Sequence, residues 1–338
     1  GSDDWSLTGD AFDAIVVGVV DESRGSGLSL FAAQPVVYRR DRWNVGLARH
    51  ILVGAGVLGL DPFGHGPPPE DQLERVMLRP RQTQTDLYPV GDPPERRLAS
   101  GIDVYGILFQ VEDLNLQGEP ESAGGTPRRG RTQVYSLGLR AGLRHETIVF
   151  VEGEAILQVG TRGGNPVEAF YLFGETTLSI SNDVAPVSLT GILSLASGDP
   201  DPNDGRQNGF DTLFPISHGR YGKIDLFGAR NIFQAAGRVR VQIGTPLVVE
   251  ATVHILRSRT EADAVYGPGR DEIVLAPEPD SDESLDLGFV IEGGLEYRYS
   301  PRLQFFVGAS QFFPGARFTD RGADLNPLFV YGSAEIEF

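Results

Sequence analysis

The stretch QVYSLGLRAGLRHETIVFVEGEAILQVG, residues 133–160, alternates apolar and polar residues twice over, with one tight reversal between. Tyr135, Leu137, Leu139, Ala141 and Leu143 fall on one face of its first half. Ser136, Gly138, Arg140, Gly142 and Arg144 fall on the other. After RHET at 144–147, Val149, Val151, Ala155 and Leu157 oppose Glu152, Glu154 and Gln158. Successive strand residues point to opposite sides, so this period of two describes a hairpin with one dry and one wet face. Each arm is longer than the usual strand of a soluble sandwich and reaches the length that a tilted strand needs to cross a bilayer.

The pattern recurs outward from there. QAAGRVRVQI sets Val239, Val241 and Ile243 against Arg238, Arg240 and Gln242. VVEATVHI sets Val249, Ala251, Val253 and Ile255 against Glu250, Thr252 and His254. SLDLGFVIEGGLEYRYS opposes Leu287, Phe289, Ile291, Leu295 and Tyr297 to Asp286, Glu292, Glu296 and Arg298. Long and short links take turns between such segments: 113–130, 197–231, 259–284 and 315–326 are long, while 144–147, 181–186, 243–247 and 299–302 are short. Long connections at one end and short ones at the other are the habit of outer-membrane barrels. Residues 1–338 therefore read as a single all-β domain, a closed antiparallel transmembrane β-barrel. The expected count is about fourteen strands, with both ends on the short-turn side. One of these strands is RPRQTQTDLYP at 79–89, the least apolar of the set. The final segment, PLFVYGSAEIEF, alternates Leu328, Val330, Ala334, Ile336 and Phe338 against Phe329, Tyr331, Ser333, Glu335 and Glu337. Ending on an aromatic residue, it is similar to the signal by which bacterial barrels are recognised for insertion.

Composition removes several classes of function. The chain has 338 residues and no cysteine, so it can build neither a disulfide framework nor a thiol nucleophile. A net charge of −17 disfavours nucleic acid, whose phosphates require a basic surface. Among 29 basic residues the only lysine is Lys223; arginine otherwise supplies the positive charge, as a planar fork suited to carboxylates. No run approaches the ~18 apolar residues of a membrane helix.

One face of the alternating segments carries a mixture of charges, with basic and acidic strands adjacent. Arg140, Arg144, Arg238, Arg240 and Arg298 share it with Glu152, Glu154, Glu175, Glu250, Glu292, Glu296 and His254. These are the candidate pore-lining residues. Transverse pairing between neighbouring strands would stiffen such a wall and leave a field that steers charged solutes.

The longest informative link, SGDPDPNDGRQNGFDTLFPISHGRYGKIDLFGARN at 197–231, is polar and glycine-rich. It reads as a long extracellular or pore-folded loop, with Asp211, Phe214, His218, Tyr221, Lys223, Asp225 and Arg230 as constriction candidates. Asp199, Asp201 and Asn203 alternate as calcium ligands do, although the glycine comes one place late and no glutamate occupies position twelve. No other cofactor is expected. Ser217 and His218 are adjacent, which on a strand sends them to opposite faces, so no hydrolase pair is built and no enzyme is expected.

SGD followed by GFDTLFPISHGRYGKIDLFGARN resembles the signature of the alginate-export family of outer-membrane barrels, in which an FD-x-LFP…H-x-x-YG…D…N segment follows a strand ending in SGD. DAFDAIVV with LSLFAAQPV, at 10–36, resembles an earlier strand pair of that family. The resemblance implies a bacterial outer-membrane porin, embedded in lipid, that exports an acidic polysaccharide or passes small anions through an arginine-rich lumen. It also implies a barrel of about eighteen strands, the first of which precede DAFDAIVV. The alternative is a barrel serving as scaffold or sheath for a periplasmic or outer-membrane partner protein.

Overall fold

The computed structural model describes residues 11–21, 26–36, 50–60, 101–111, 132–145, 149–180, 185–212, 220–268, 272–274, 283–300 and 302–336. Most of them lie in one antiparallel sheet of 13 strands. In chain order these are β1 (Ala11–Asp21), β2 (Ser26–Val36), β3 (His50–Leu60), β4 (Gly101–Val111), β5 (Thr132–His145), β6 (Val149–Arg162), β7 (Asn165–Ile180), β8 (Val187–Ala196), β9 (Ile232–Ile243) and β10 (Leu247–Ser258). After β10 the chain makes a small hairpin, β11 (Val265–Tyr266) with β12 (Glu272–Val274), and then returns to the sheet as β13 (Asp286–Ser300), β14 (Leu303–Pro314) and β15 (Leu328–Ile336). Every strand of the large sheet pairs with its neighbours in sequence order. One turn of helix, α1 (Ala316–Thr319), follows β14.

The two faces differ as the alternation requires. Leu193 is 58% exposed while Ser194, the next residue, is 3% exposed. Leu137, Leu139, Leu157, Val253, Ile255, Ile291 and Leu295 are likewise exposed, forming an apolar outer surface that a soluble protein would not leave open. The opposite face carries the charges and is covered in part by the link between β8 and β9. Tyr171, Phe173, Phe210, Tyr221, Phe227, Ile232, Leu256, Val290 and Phe312 form the core between that link and the sheet.

Three expectations require correction. The fourteenth strand, 79–89, lies outside the described residues, but β3 pairs directly with β4 from His50↔Val111 to Leu60↔Ile102, leaving no place between them. Neither face of the sequence RPRQTQTDLYP is apolar enough to meet lipid, and its two prolines, Pro80 and Pro89, lack a donor for a ladder. Because a meander of 13 strands is odd, β1 and β15 run in the same direction and begin at the same end, so the two termini of the sheet are not both on the short-turn side. Finally, Leu287 is fully buried rather than on the outer face. The ladder between β10 and β13 shifts at Leu256/Arg257, and Gly288 adopts φ +105°. This bulge turns Leu287 inward at a conformation that glycine alone adopts cheaply.

Placing a charge on the outer face should be costly. Leu157→Arg, near the middle of β6, should destabilise the protein in a bilayer by about 2–4 kcal/mol. Gln242→Arg, on the inner face, should stay within about 0.5 kcal/mol of wild type. Reversible denaturant titration in lipid vesicles measures both, and equal costs would refute the assignment of faces.

Candidate functional site

The described parts of the link, 197–212 and 220–231, fold back onto the inner face of the sheet, and side chains of the strands grip each of them. The first part sits on β6 and β7. Ser197 N–H donates to the Phe170 carbonyl at 2.9 Å and Ser197 Oγ accepts from Phe170 N–H at 3.0 Å. Gln207 N–H donates to the Pro166 carbonyl at 2.9 Å. Gln158, buried on β6, treats Asp211 as a strand would: its Nε2 donates to the Asp211 carbonyl at 2.8 Å, and its Oε1 accepts from the Asp211 N–H at 3.0 Å. Arg162 adds a bond to the Asp211 carboxylate at 2.9 Å. Phe210 stacks on Tyr171 with centroids 5.3 Å apart.

The second part, 220–231, reaches β9, β10, β13 and β14. Gln234 Nε2 donates to the Arg220 carbonyl at 2.5 Å, and Lys223 N–H donates to Glu292 Oε1. Gly222, between these anchors, has φ +105°, and a Cβ there would lie 3.2 Å from Glu292 Oε1, so only glycine fits easily. Phe227 packs edge-on against Phe312 at 5.3 Å and Phe318 at 6.1 Å. Arg220 spans back toward the first part. It bonds the Tyr171 hydroxyl, lies 3.3 Å from Glu154, and rests 4.6 Å from the centroid of Phe173. Asn231, with φ +51°, accepts from Thr260 N–H at 2.8 Å and donates to the Ala264 carbonyl at 2.9 Å. Arg317 of α1 is fully buried and donates to the carbonyls of Glu261 and Asp263 at 2.9 and 2.7 Å. The link after β10 is thereby tied both to the link before β9 and to the link after β14.

Below the loop, toward the short turns, the inner wall is a lattice of paired charges. Arg140 pairs with Glu152, and Tyr105 donates to Glu154 at 2.7 Å. Arg240 lies 3.9 Å from Glu250 and 3.4 Å from Glu296, which also accepts from Arg298 at 3.1 Å. Arg238 Nε is 3.4 Å from Thr252 Oγ1. Glu175 is buried beside Thr177. Basic and acidic strands do pair transversely, as their sequence order suggests.

The anticipated residues separate in space. Asp211, Tyr221 and Lys223 are held against the sheet, whereas Asp225 turns the loop through φ +58°. Arg230 stacks 4.2 Å over Tyr266 and approaches Asp263 at 3.8 Å, on the link after β10. His254 is 2% exposed and lies beneath the loop rather than facing open space. Arg238 and Arg240 lie farther along β9 toward the short turn than the loop anchor Gln234. Phe214 and His218 lie outside the described residues, as does the side chain of Arg144.

Asp199, Asp201 and Asn203 sit in successive turns. Asp199 Oδ1 accepts from Asp201 N–H at 3.4 Å, and Asp201 Oδ1 accepts from Asn203 N–H at 3.1 Å. Burial pushes the Asp199 carboxyl above its usual range. Among the described residues no three histidine or acidic groups converge on a metal position.

Gln158, Gln234, Arg162, Arg220 and Arg317 carry much of this construction and were not among the candidates. Gln158 and Gln234 did show one signal, a polar residue capable of both donating and accepting on the inner face just below the loop.

The sequence profile for alginate export matches residues 105–328, which include most of the sheet and the whole of the 197–231 link. None of the curated proteins matches at a significant level. Among solved structures, the chain is similar to the NanC porin, at 6% identity over 97% of this chain and 99% of that one, with a TM-score of 0.32. It is also similar to OmpT, an outer-membrane protein of Vibrio cholerae, at 10% identity over 97% and 95% of the two chains, again with a TM-score of 0.32. The profile covers well over half of the sequence, so the chain belongs to the alginate export family, whose place is the bacterial outer membrane.

Proposed function

We propose that this outer-membrane channel protein passes charged solutes, an acidic saccharide or smaller anions, along a charged inner wall narrowed by the 197–231 loop. The observation that supports this most directly is the loop's docking onto the inner face through Gln158, Gln234 and Glu292. A loop that merely roofed the sheet would leave those side chains to water. Paired arginines and glutamates below it keep the wall hydrated and its field local.

Closure into a cylinder is part of this reading. Open strand edges are not tolerated in lipid, where each unpaired backbone group costs several kcal/mol. Since β1 and β15 run in the same direction, antiparallel closure requires an odd number of further strands; direct pairing would make a parallel seam. A barrel of about eighteen strands would be completed by about five more, an odd number. The edges of the described sheet, β1 and β15, also favour a second reading, in which strands of a partner chain pair with them.

If the basic residues of the wall select anions, the double variant Arg238→Ala, Arg240→Ala should shift the reversal potential in asymmetric salt toward cations. Stability should fall by no more than about 1 kcal/mol, since exposed or hydrated ion pairs contribute little. An unmoved reversal potential with a sharp loss of thermal stability would reassign both arginines to a purely structural role. Gln158→Leu tests the loop. It removes both bonds that Gln158 makes to the Asp211 backbone, at a cost of about 1–3 kcal/mol, and should raise single-channel conductance. Unchanged conductance at reduced stability would remove the loop from the passage.

A further inference from the structure

The charged lattice of the inner wall gives way to an uncharged strip on β14 and β15. Three successive inward pairs of that ladder are Ser310 with Phe329, Gly308 with Tyr331, and Phe306 with Ser333. The intervening Val307 and Val330 belong to the outer face, at 50% and 63% exposure. The three rings meet in order. Phe329 and Tyr331 have centroids 5.3 Å apart with planes 20° from parallel, and Tyr331 and Phe306 have centroids 5.5 Å apart at 33°. Tyr331 and Phe306 each lie across a glycine of the neighbouring strand. A Cβ at Gly308 would sit 2.6 Å from Tyr331 Cζ, and one at Gly294 would sit 3.1 Å from Phe306 Cζ. The glycines thus let both rings lie along the wall instead of standing out from it. The strip starts where Ser310 and the Lys223 N–H share Glu292 Oε1, at the edge of the loop's cover. It ends near the short turn, where Gln304 donates to Glu335. Tyr331 is buried between its neighbours, whereas Phe306 and Phe329 keep part of their surface open.

Charge returns beside the strip. In the ladder between β13 and β14, Phe306 stands opposite Glu296 and Gln304 opposite Arg298, and Arg298 bonds Glu296 at 3.1 Å. An apolar surface flanked by hydrogen-bonding groups does little for an inorganic anion, which gains nothing from the negative face of an aromatic ring. It matches a pyranose, whose C–H bonds gather on a ring face while hydroxyls and any carboxylate project from the edge. We propose that Phe329, Tyr331 and Phe306 form a stacking strip for the sugar rings of a passing saccharide, with Arg298 placed to receive a carboxylate from the ring edge. Arginine on the wall recognises charge, and the strip recognises the sugar itself.

This inference rests on the channel reading, so two readouts keep the two apart. In planar bilayers, a hexameric oligouronate should interrupt the single-channel ion current of the wild type. The double variant Phe306→Leu, Phe329→Leu keeps apolar bulk but loses two ring faces. Its current in salt alone should stay near wild type, while the saccharide should block it about tenfold more weakly. Phe306→Tyr with Phe329→Tyr restores the rings and should restore the block. Saturation-transfer NMR in detergent micelles reports the contact without reference to conduction. Irradiating aromatic protons should transfer magnetisation to the sugar C–H protons in the wild type and the tyrosine variant, and much less in the leucine variant. Transfer in a protein that passes no ions would sustain the strip and refute the channel. Ion conduction with neither block nor transfer, or a leucine variant that is blocked as tightly as wild type, would overturn the strip.

Discussion

A wall one strand thick has to satisfy its backbone entirely within the ladder, because lipid on one side offers no hydrogen bonds. That constraint organises the rest of the molecule. Once N–H and C=O groups are paired from strand to strand, side chains are free to differ completely between faces. Leu157 can meet hydrocarbon while Gln158, one residue later, reaches inward to a loop. Long strands with strict alternation follow from the same requirement. The interruptions are informative. At Leu287 and Gly288 the ladder gains a residue and an apolar side chain turns inward, where it joins Val290 and Phe312 beneath the loop.

The inner face solves a different problem. A loop packed against a sheet carries backbone groups that water no longer serves, and here the sheet's own side chains replace that water. Gln158 reproduces a strand-like pair of bonds with Asp211. Glu292 and Gln234 do the same work, one group each, for Lys223 and Arg220. Satisfying buried polar groups in this way rigidifies a structure more than it stabilises it. The result is two loop segments held over paired charges, with Arg220 bridging the β6–β7 anchor and the β9–β14 anchor.

Alternation, link lengths and the 197–231 signature were legible because each is local. A period of two needs only a dozen residues to declare itself, and a residue's face follows from parity alone. Arg140, Glu152, Glu154, Arg240, Glu250 and Glu296 therefore stand on the inner wall as their positions in the alternation suggest. Parity carries no information about which strands are neighbours. The direct pairing of β3 with β4 across a link of forty residues, and with it the odd strand count, depended on contacts far apart in the chain.

What the sequence determined by itself was the class of wall, its two faces, the family and the presence of an unusual loop, all properties of short windows. The tertiary structure alone decided where that loop lands. Nothing in HGRYGKID indicates that Arg220 and Lys223 will meet Gln234 and Glu292, because those bonds join residues 14 and 69 positions apart. The burial of His254 between them is decided the same way. As a sequence feature it is one polar residue on an alternating strand; as a folded one it is a buried ring held between Gln234 on one side and Glu292 on the other.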